Sequence, residues 1–308
     1  MLYVTTREKN DAYTANRTIL DDFGPDGGAY LPFRMPFLTK EQLTEMAGKT
    51  FGQNVADVLN LFFSSGLTAW DVDSAIGKNP VKLVSVGNKI QCAQLWQNLD
   101  GSYEKLEKTL ATMICEKAHE EAKVTSWLRI AIRIAVLFAT FAQLQLQENV
   151  DVSIPAEDFS LPMAVWYGRN MGLPIGRILC GCCENDSVWD LLHLGEMKME
   201  QERDYREVER LVHATLGLGE TKRFADISRR GGSYKLLDSE SKALSEGMFA
   251  SVISQERVES VIPSVYRTNS YTLAQDSATG YAALMDYRAK TGSNRDALLL
   301  EDAAPKAL

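Results

Sequence analysis

A strand-helix-strand pattern near the middle of the chain restricts the fold more than any other feature. Asp151 to Ile154 and Arg177 to Cys182 are short runs with strand character, and Met163 to Asn170 between them has a helical pattern. This spacing allows two parallel strands joined by a crossover helix. Because parallel sheets are covered by helices on both faces, the pattern predicts an α/β protein that is helix-rich with a short, mostly parallel sheet.

The most apolar segment, Trp127 to Leu144, is expected to be a core helix of this protein. Arg129 and Arg133 interrupt it, so its longest uncharged part is Ile134 to Phe141. That part is too short to span a bilayer. A chain of 308 residues is also long enough for two domains.

The composition is that of a globular protein, with 45% hydrophobic and 24% charged residues, and it argues against disorder. The formal net charge of -8 gives no electrostatic reason to expect a nucleic-acid or membrane partner. Five cysteines in a chain that opens without an apolar leader predict reduced thiols and a cytoplasmic location.

Other segments follow from local patterns. Residues 24–28 read GPDGG, a strong turn signal, and residues 39–42 have the spacing of a capping box. We predict strands at 2–4, 81–86, 89–95 and 297–300, and helices at 11–23, 55–63, 70–76, 103–123, 188–194, 205–216, 239–252, 255–266 and 278–291.

Five segments, in order, carry a family resemblance. Residues 3–7 read YVTTR, 23–32 FGPDGGAYLP, 126–130 SWLRI, 169–177 RNMGLPIGR and 184–186 END. Together they resemble motifs of threonine synthase, the pyridoxal-phosphate (PLP) enzyme that converts O-phosphohomoserine to threonine. The resemblance implies a type-II PLP-enzyme fold.

The resemblance also predicts the domain organisation. Residues 1–90 correspond to the threonine-synthase N-terminal domain, and residues 91–308 to a truncated PLP-fold large domain. The family has a glycine-rich S-G-D-T-G-S-A segment that grips the substrate, but no glycine occurs between Glu104 and Ser126. We therefore expect the inserted small domain to be missing.

The cofactor lysine of the family has no clear counterpart. It lies in an H-G-P-T-x-A-F-K-D segment, which residues 96–105, WQNLDGSYEK, resemble most. Aligned without a gap, Glu104 falls on the lysine, and a carboxylate cannot form the imine that anchors PLP. Lys105 is one residue away, which turns a helical side chain by ~100°.

The phosphate-binding loop of the family, V-P-T-G-N-F-G-N, is also altered. Its glycines let backbone N–H groups approach the phosphate at a helix N-terminus. The corresponding residues here are Ala156, Glu157, Asp158, Phe159 and Ser160. Carboxylates repel a phosphate dianion, although acidic residues also suit a helix N-terminus. Further departures lie at residues 206–210, REVER, and at 273–278, LAQDSA, where the family histidine is absent.

Four residues at or just after the end of the second strand are candidates for the crevice of the sheet: Cys182, Cys183, Asn185 and Asp186. Strand ends of an α/β sheet border such a crevice, so these thiols are candidates for reactivity. Zinc usually has four ligands in two separated pairs, and the sequence offers no second Cys or His pair. We predict no metal site, and buried packing of the cysteines is the alternative to reactivity.

Two functions remain open. The first is a catalytically inactive pseudoenzyme without a cofactor, which binds a protein partner or a small amino-acid-like ligand. The second is an active PLP-dependent threonine synthase, a carbon-oxygen lyase that uses Lys105. The loss of the lysine, the phosphate loop and the substrate loop together favours the first.

Overall fold

The computed structural model describes residues 1–8, 10–98, 101–144, 148–184, 187–201 and 203–305. Its strands are β1 (Leu2–Thr5), β2 (Tyr13–Thr14), β3 (Tyr30–Pro32), β4 (Lys82–Gly87), β5 (Ile90–Gln94), β6 (Val150–Pro155), β7 (Ile175–Cys182), β8 (Glu196–Met199), β9 (Gly232–Lys235), β10 (Met248–Val252) and β11 (Ala297–Glu301). Its helices are α1 (Ala15–Leu20), α2 (Lys40–Met46), α3 (Phe51–Phe63), α4 (Ala69–Ile76), α5 (Tyr103–Lys117), α6 (Ser126–Leu144), α7 (Ser160–Asn170), α8 (Ser187–Leu194), α9 (Arg206–Leu216), α10 (Leu218–Arg230), α11 (Asp238–Ser245), α12 (Gln255–Asn269) and α13 (Gln275–Thr291).

A six-stranded sheet with the order β10-β7-β6-β11-β5-β4 lies at the centre. Neighbouring strands from β10 to β5 are parallel, and only the edge strand β4 is antiparallel to its neighbour. The βαβ unit predicted from the sequence is β6-α7-β7, and its strands pair in parallel. The predicted fold class, helix-rich α/β with a mostly parallel sheet, is confirmed.

Alternation along β11 assigns its side chains to two cores, because successive residues of a strand point to opposite faces. Leu298 and Leu300 belong to the core that includes α6, whereas Ala297 and Leu299 belong to the core that includes α12 and α13. All residues of β11 are buried, as expected for a strand covered on both faces.

Helix α13 lies very close to the sheet because of a glycine. A Cβ atom on Gly181 of β7 would lie 2.4 Å from the backbone of Thr279. Ser153 of β6 donates a hydrogen bond to the carbonyl of Gly280 at 2.6 Å. Strands β6 and β7 are therefore fixed against the same helix.

Helix α6 is apolar because it is a core helix, as predicted. It is the helix among the described residues that is long and apolar enough to cross a membrane, and 78% of its most apolar window is buried inside the protein. Trp127 at its start packs edge-on against Tyr3, Phe62 and Tyr167.

The N-terminal sheet, β2-β1-β3, is antiparallel and separate from the central one. Tyr3 donates a hydrogen bond from its hydroxyl to the carbonyl of Phe62 in α3. The capping box predicted at residues 39–42 is present, with Thr39 and Gln42 exchanging hydrogen bonds. The division into domains at residue 90, the first residue of β5, stays a prediction.

Some sequence predictions need correction. Residues 239–252 were predicted as one helix, but α11 ends at Ser245 and β10 follows, because Gly247 has a φ of 83° that ends the helix. The helix predicted at 11–23 is limited to α1, which a short strand precedes. The helix predicted at 103–123 ends at Lys117, and β8, β9 and α10 are elements that were not predicted.

Candidate functional site

The segment predicted to correspond to the phosphate-binding loop lies at the carboxyl edge of the sheet. Residues 156–159 connect β6 to α7, and the Ala156 N–H donates to the carbonyl of Gly181 at 2.9 Å. The thiol of Cys183, just beyond β7, donates to Glu157 at 2.8 Å. The loop and the strand-end cysteines predicted as crevice candidates are thus neighbours, whereas Asn185 and Asp186 lie outside the described residues.

Asp158 places a carboxylate at the N-terminus of α7. Its Oδ1 accepts from the backbone N–H of Ser160 at 3.0 Å and from the hydroxyl of the same residue. A helix N-terminus attracts anions because its first N–H groups have no partner in the helix. Here the protein's own carboxylate takes one of these N–H groups.

Arg133 of α6 reaches the same carboxylate from inside the protein. Its Nη1 lies 2.8 Å from Asp158 Oδ2 and donates to the Ser160 hydroxyl at 2.7 Å. Its Nε donates to Glu107 of α5 in a close ion pair. A second arginine, Arg129, approaches Glu107 at 3.6 Å.

This network was not predicted from the sequence. The sequence predicts Arg133 only as an interruption of an apolar helix, and Glu107 only as one residue of the helix at 103–123. Both side chains are buried, 8% and 3% exposed. The available signal was Arg133 itself, the one charged residue within the buried run Ile130 to Phe141 of α6.

The network determines the protonation of its members. Burial raises the pKa of the Glu107 carboxyl above its ordinary value, against the opposite effect of Arg133. Burial also acts to raise the pKa of Asp158, but Arg133 and the hydrogen bonds from Ser160 outweigh it and leave that pKa lowered. Asp158 is therefore a carboxylate at neutral pH.

Asp302 adds a further carboxyl group at this edge, directly after β11. Burial, followed by the charge of Asp276, raises its pKa above the ordinary value. Its Oδ1 is buried without a hydrogen-bond partner among the described residues. Asp158, Asp276 and Asp302 therefore bring several carboxyl groups to this edge of the sheet, close to Arg133.

A crevice with a volume of about 430 Å³ opens beside the loop, next to the N-terminal ends of α6 and α9. Its walls carry charges of both signs: Arg129, Arg203, Arg206, Asp22, Glu157, Asp158, Asp204 and Glu207. No lysine is among the described residues that line it. On the inner side of Arg133, between α6, α7 and the strand ends, the remaining cavity is only about 10 Å³, too small for more than one water.

Glu104 and Lys105 lie in the first turn of α5, and both are exposed. The buried residues of that turn and the next are Tyr103, Leu106 and Glu107. The Tyr103 ring lies 5.7 Å from the Arg133 guanidinium, so Tyr103 is the side chain of the turn that faces the network. The assignment of Glu104 to the family lysine position stays a prediction.

PLP needs a lysine and a set of free N–H groups around its phosphate. The N–H groups of Ala156, Ser160 and Leu161 already bond to the carbonyl of Gly181, to Asp158 Oδ1 and to the carbonyl of Asp158. The Asp158 carboxylate adds a negative charge at the same helix end. The described residues of the crevice do not fit PLP.

Two of the cysteines at the end of β7 pack in the core. Cys180 and Cys182 are fully buried and belong to the main hydrophobic core. Cys183 is half-buried and lies against the Glu157 carboxylate. In the described parts of the chain, no group of three or more His, Cys, Asp or Glu side chains is arranged to hold a metal ion.

Residues 206–210, one of the departures from the family motif, connect the N-terminal sheet to the rest of the protein. Glu209 accepts two hydrogen bonds from Arg7, at 3.0 and 2.8 Å. Arg210 is fully buried and donates to the carbonyl of Tyr30 at 3.0 Å and to Glu207 at 2.6 Å. The glutamate and arginine that this chain shares with the motif therefore have structural contacts.

The other departure, residues 273–278, contains the start of α13. The N–H of Ala274 donates to Glu301 at 3.0 Å, and Tyr271 donates to the same buried carboxylate. This turn is held to the end of β11 by backbone and tyrosine contacts, without a histidine.

Comparison with known proteins identifies the fold. Residues 2–79 match the family model described as threonine synthase N terminus. A PLP-bound threonine synthase from Brucella melitensis superposes with a TM-score of 0.87 at 16% identity, covering 99% of this chain and 89% of that one. Threonine synthases from yeast (TM-score 0.82, 14% identity, 99% and 87% covered) and Escherichia coli (0.74, 15%, 99% and 89%) are also similar.

No curated protein sequence matches the chain. The structural likeness therefore carries the comparison, and it covers nearly the whole chain. The fold is that of threonine synthases, a type-II PLP-enzyme fold, as the sequence resemblance predicted.

Proposed function

We propose that this protein with a threonine-synthase fold is a catalytically inactive pseudoenzyme that works as a binding module. The observation that carries the proposal is Asp158, whose carboxylate accepts from the Ser160 N–H at the start of α7 and pairs with Arg133. In the family this helix end follows the phosphate-binding loop. An intramolecular anion thus takes the interactions that a cofactor phosphate would need.

The energy of this arrangement opposes PLP. At about 5 Å and an effective dielectric near 20, a unit charge on Asp158 repels each unit charge of a phosphate by about 3 kcal/mol. Glu157 lines the same crevice and adds to the repulsion. One charged hydrogen bond contributes only ~1.5–3 kcal/mol of favourable free energy. A phosphate therefore cannot bind here without displacing Asp158 from Arg133.

The crevice instead suits a small amino-acid-like ligand with charges of both signs. Arg129 is 41% exposed at its wall, and Arg203 has no ion pair with a described carboxylate. Glu157 supplies a carboxylate for an ammonium group. A volume of about 430 Å³ lies in the range of small-molecule sites.

The alternative is an active threonine synthase with Lys105 as the imine lysine. The likeness to a PLP-bound threonine synthase favours it. It requires α5 to rotate or unwind, because Lys105 is exposed in its first turn.

The two functions differ in cofactor chemistry. The purified protein is titrated with PLP, its absorbance is recorded at the imine band, and borohydride is added to trap any imine for mass spectrometry. Phosphate release from O-phosphohomoserine is measured in parallel. We expect no imine and no phosphate, and a trapped imine that Lys105→Ala abolishes would overturn the pseudoenzyme proposal.

Ligand binding is tested with named probes. L-Threonine and O-phosphohomoserine are titrated by calorimetry into the protein and into Arg129→Gln. We expect L-threonine to bind and Arg129→Gln to weaken it about tenfold, because a charged hydrogen bond is lost. Arg267→Gln on the distant helix α12 is the matched control. Absence of binding by both probes contradicts a small amino-acid-like ligand and leaves a protein partner as the proposed function of the fold.

The five free cysteines support a reducing compartment, which we propose is the cytoplasm.

A further inference from the structure

A second cleft lies at the opposite end of the sheet from the crevice. Its walls are α2, the C-terminal part of α6 and residues 172–174, which precede β7. Its volume is about 610 Å³, within the range of small-molecule sites. We call it the basal cleft, because it borders the amino ends of β6 and β7.

The basal cleft has an apolar interior. Phe138 and Phe141 of α6, Leu43 of α2 and Leu173 line it, and Phe37 at its margin is 67% exposed. An apolar lining with few polar groups is typical of sites that bury a ligand.

The width of the cleft is fixed by backbone contacts. The N–H of Leu38 donates to the carbonyl of Met171 at 2.8 Å. Gly172 has a φ of 111°, and a Cβ there would lie 2.4 Å from the Leu38 carbonyl oxygen. The segment before α2 is thus held directly on the turn after α7, so the cleft is preformed.

The charges at the basal cleft are all positive. Lys40 and Arg169 line it, and none of its described lining residues is an aspartate or glutamate. Arg169 is half-buried in the last turn of α7, and neither cation forms an ion pair with a carboxylate in the described parts of the chain. The described lining of the cleft therefore carries positive charge, although the chain has a formal net charge of -8.

We propose that the basal cleft binds an amphipathic monoanion, a carboxylate carried on an aliphatic chain. The chain lies between Leu43, Phe138 and Phe141, and the carboxylate interacts with Arg169 and Lys40. A guanidinium suits a carboxylate because it donates two parallel hydrogen bonds. A cationic or neutral amphiphile lacks this interaction. The inference is independent of the function proposed for the crevice.

Calorimetric titration with decanoate tests the proposal, with decanol and decyltrimethylammonium as probes of the same chain length. We expect decanoate to bind most tightly and the ammonium probe least. The double variant Lys40→Gln, Arg169→Gln should weaken decanoate about tenfold, as the loss of charged hydrogen bonds predicts, and leave decanol unchanged. Arg267→Gln controls for charge alone, and equal melting temperatures show that the variants are folded.

Leu43→Gln tests the apolar part of the site. Loss of this half-buried apolar side chain should weaken the binding of decanoate and the binding of decanol alike. Arg129→Gln, in the crevice, should change neither, which separates this site from the proposed function. No decanoate binding, or equal binding of decanoate and decanol that the double variant does not alter, overturns the proposal. A dimer that Leu43→Gln dissociates in sedimentation also overturns it, since a second copy then covers the cleft.

Discussion

Arg133 connects three elements through one side chain. Its guanidinium contacts Glu107 of α5, and Asp158 and Ser160 at the start of α7. Although burial acts in the opposite direction, the two carboxylates raise the pKa of Arg133 above its ordinary value, so it stays charged. Buried ion pairs contribute little to stability as a unit, but removing one partner leaves an uncompensated charge.

Arg133→Met should therefore destabilise the protein strongly, by about 3–5 kcal/mol. Glu107 then remains buried without its close partner. Adding Glu107→Gln should recover part of the loss, and urea unfolding measures both. Arg129→Met is the matched control, since Arg129 is 41% exposed and its removal should cost no more than about 1 kcal/mol. Equal losses for Arg133→Met and Arg129→Met contradict the role of the network.

Asp302 should make stability decrease as the pH rises. Its pKa is raised in the folded state by burial and by Asp276, so its ionised form is disfavoured there. The free-energy cost of ionising Asp302 in the folded protein is absent below its unfolded-state pKa and complete above its folded-state pKa. Asp302→Asn should then raise the melting temperature at pH 7.5 by roughly 1–3 °C and have no effect below the ordinary pKa of aspartate.

Asp158 should have the opposite effect on the pH dependence of stability. Its folded pKa is lowered, so its stabilisation is present above the unfolded pKa and is lost as the pH falls through the folded one. Asp158→Asn should lower the melting temperature at pH 7.5, and its effect should also vanish in acid. Melting curves in which both variants shift in the same direction at pH 7.5 are incompatible with these assignments.

At the scale of secondary-structure elements, two glycines differ in whether packing requires them. Gly181 in β7 permits the approach of α13, because a Cβ would lie 2.4 Å from the Thr279 backbone. Gly219 in α10 has no atom within 4 Å of an added Cβ. The first glycine is required by packing between elements, whereas the second only weakens its own helix.

Gly181→Ala should destabilise the protein by about 1–3 kcal/mol, because strand and helix must separate. Gly219→Ala should be neutral or stabilising by up to about 1 kcal/mol, from the higher helix propensity of alanine. Chemical denaturation of both variants measures the difference. A Gly181→Ala protein as stable as the parent shows that α13 does not constrain β7.

At the scale of the whole molecule, the sequence predicted the parts that local patterns determine. The βαβ unit, the core helix α6 and the capping box at Thr39 follow from periodicity and spacing, and the ordered motifs predicted the family fold. The pairing of Arg133 with Glu107 was not predictable, since it joins two residues of different helices that lie 26 positions apart in the sequence. β8 and β9 were missed because they pair across two intervening helices, α9 and α10, which local patterns do not reveal.

The attachment of the N-terminal sheet is also long-range, and it gives the last prediction. Glu209 is 5% exposed and accepts from Arg7 and Thr6, so one carboxylate of α9 holds the strand end of β1. Glu209→Gln removes the charge but keeps the shape, and we expect faster hydrogen exchange in β1 and β3 with unchanged exchange in β6 and β7. Glu220→Gln in the neighbouring helix α10, whose carboxylate bonds Arg223 and Tyr234, is the control. Uniformly faster exchange in both sheets indicates that the N-terminal sheet and the central sheet unfold as one cooperative unit, contrary to a local attachment through Glu209.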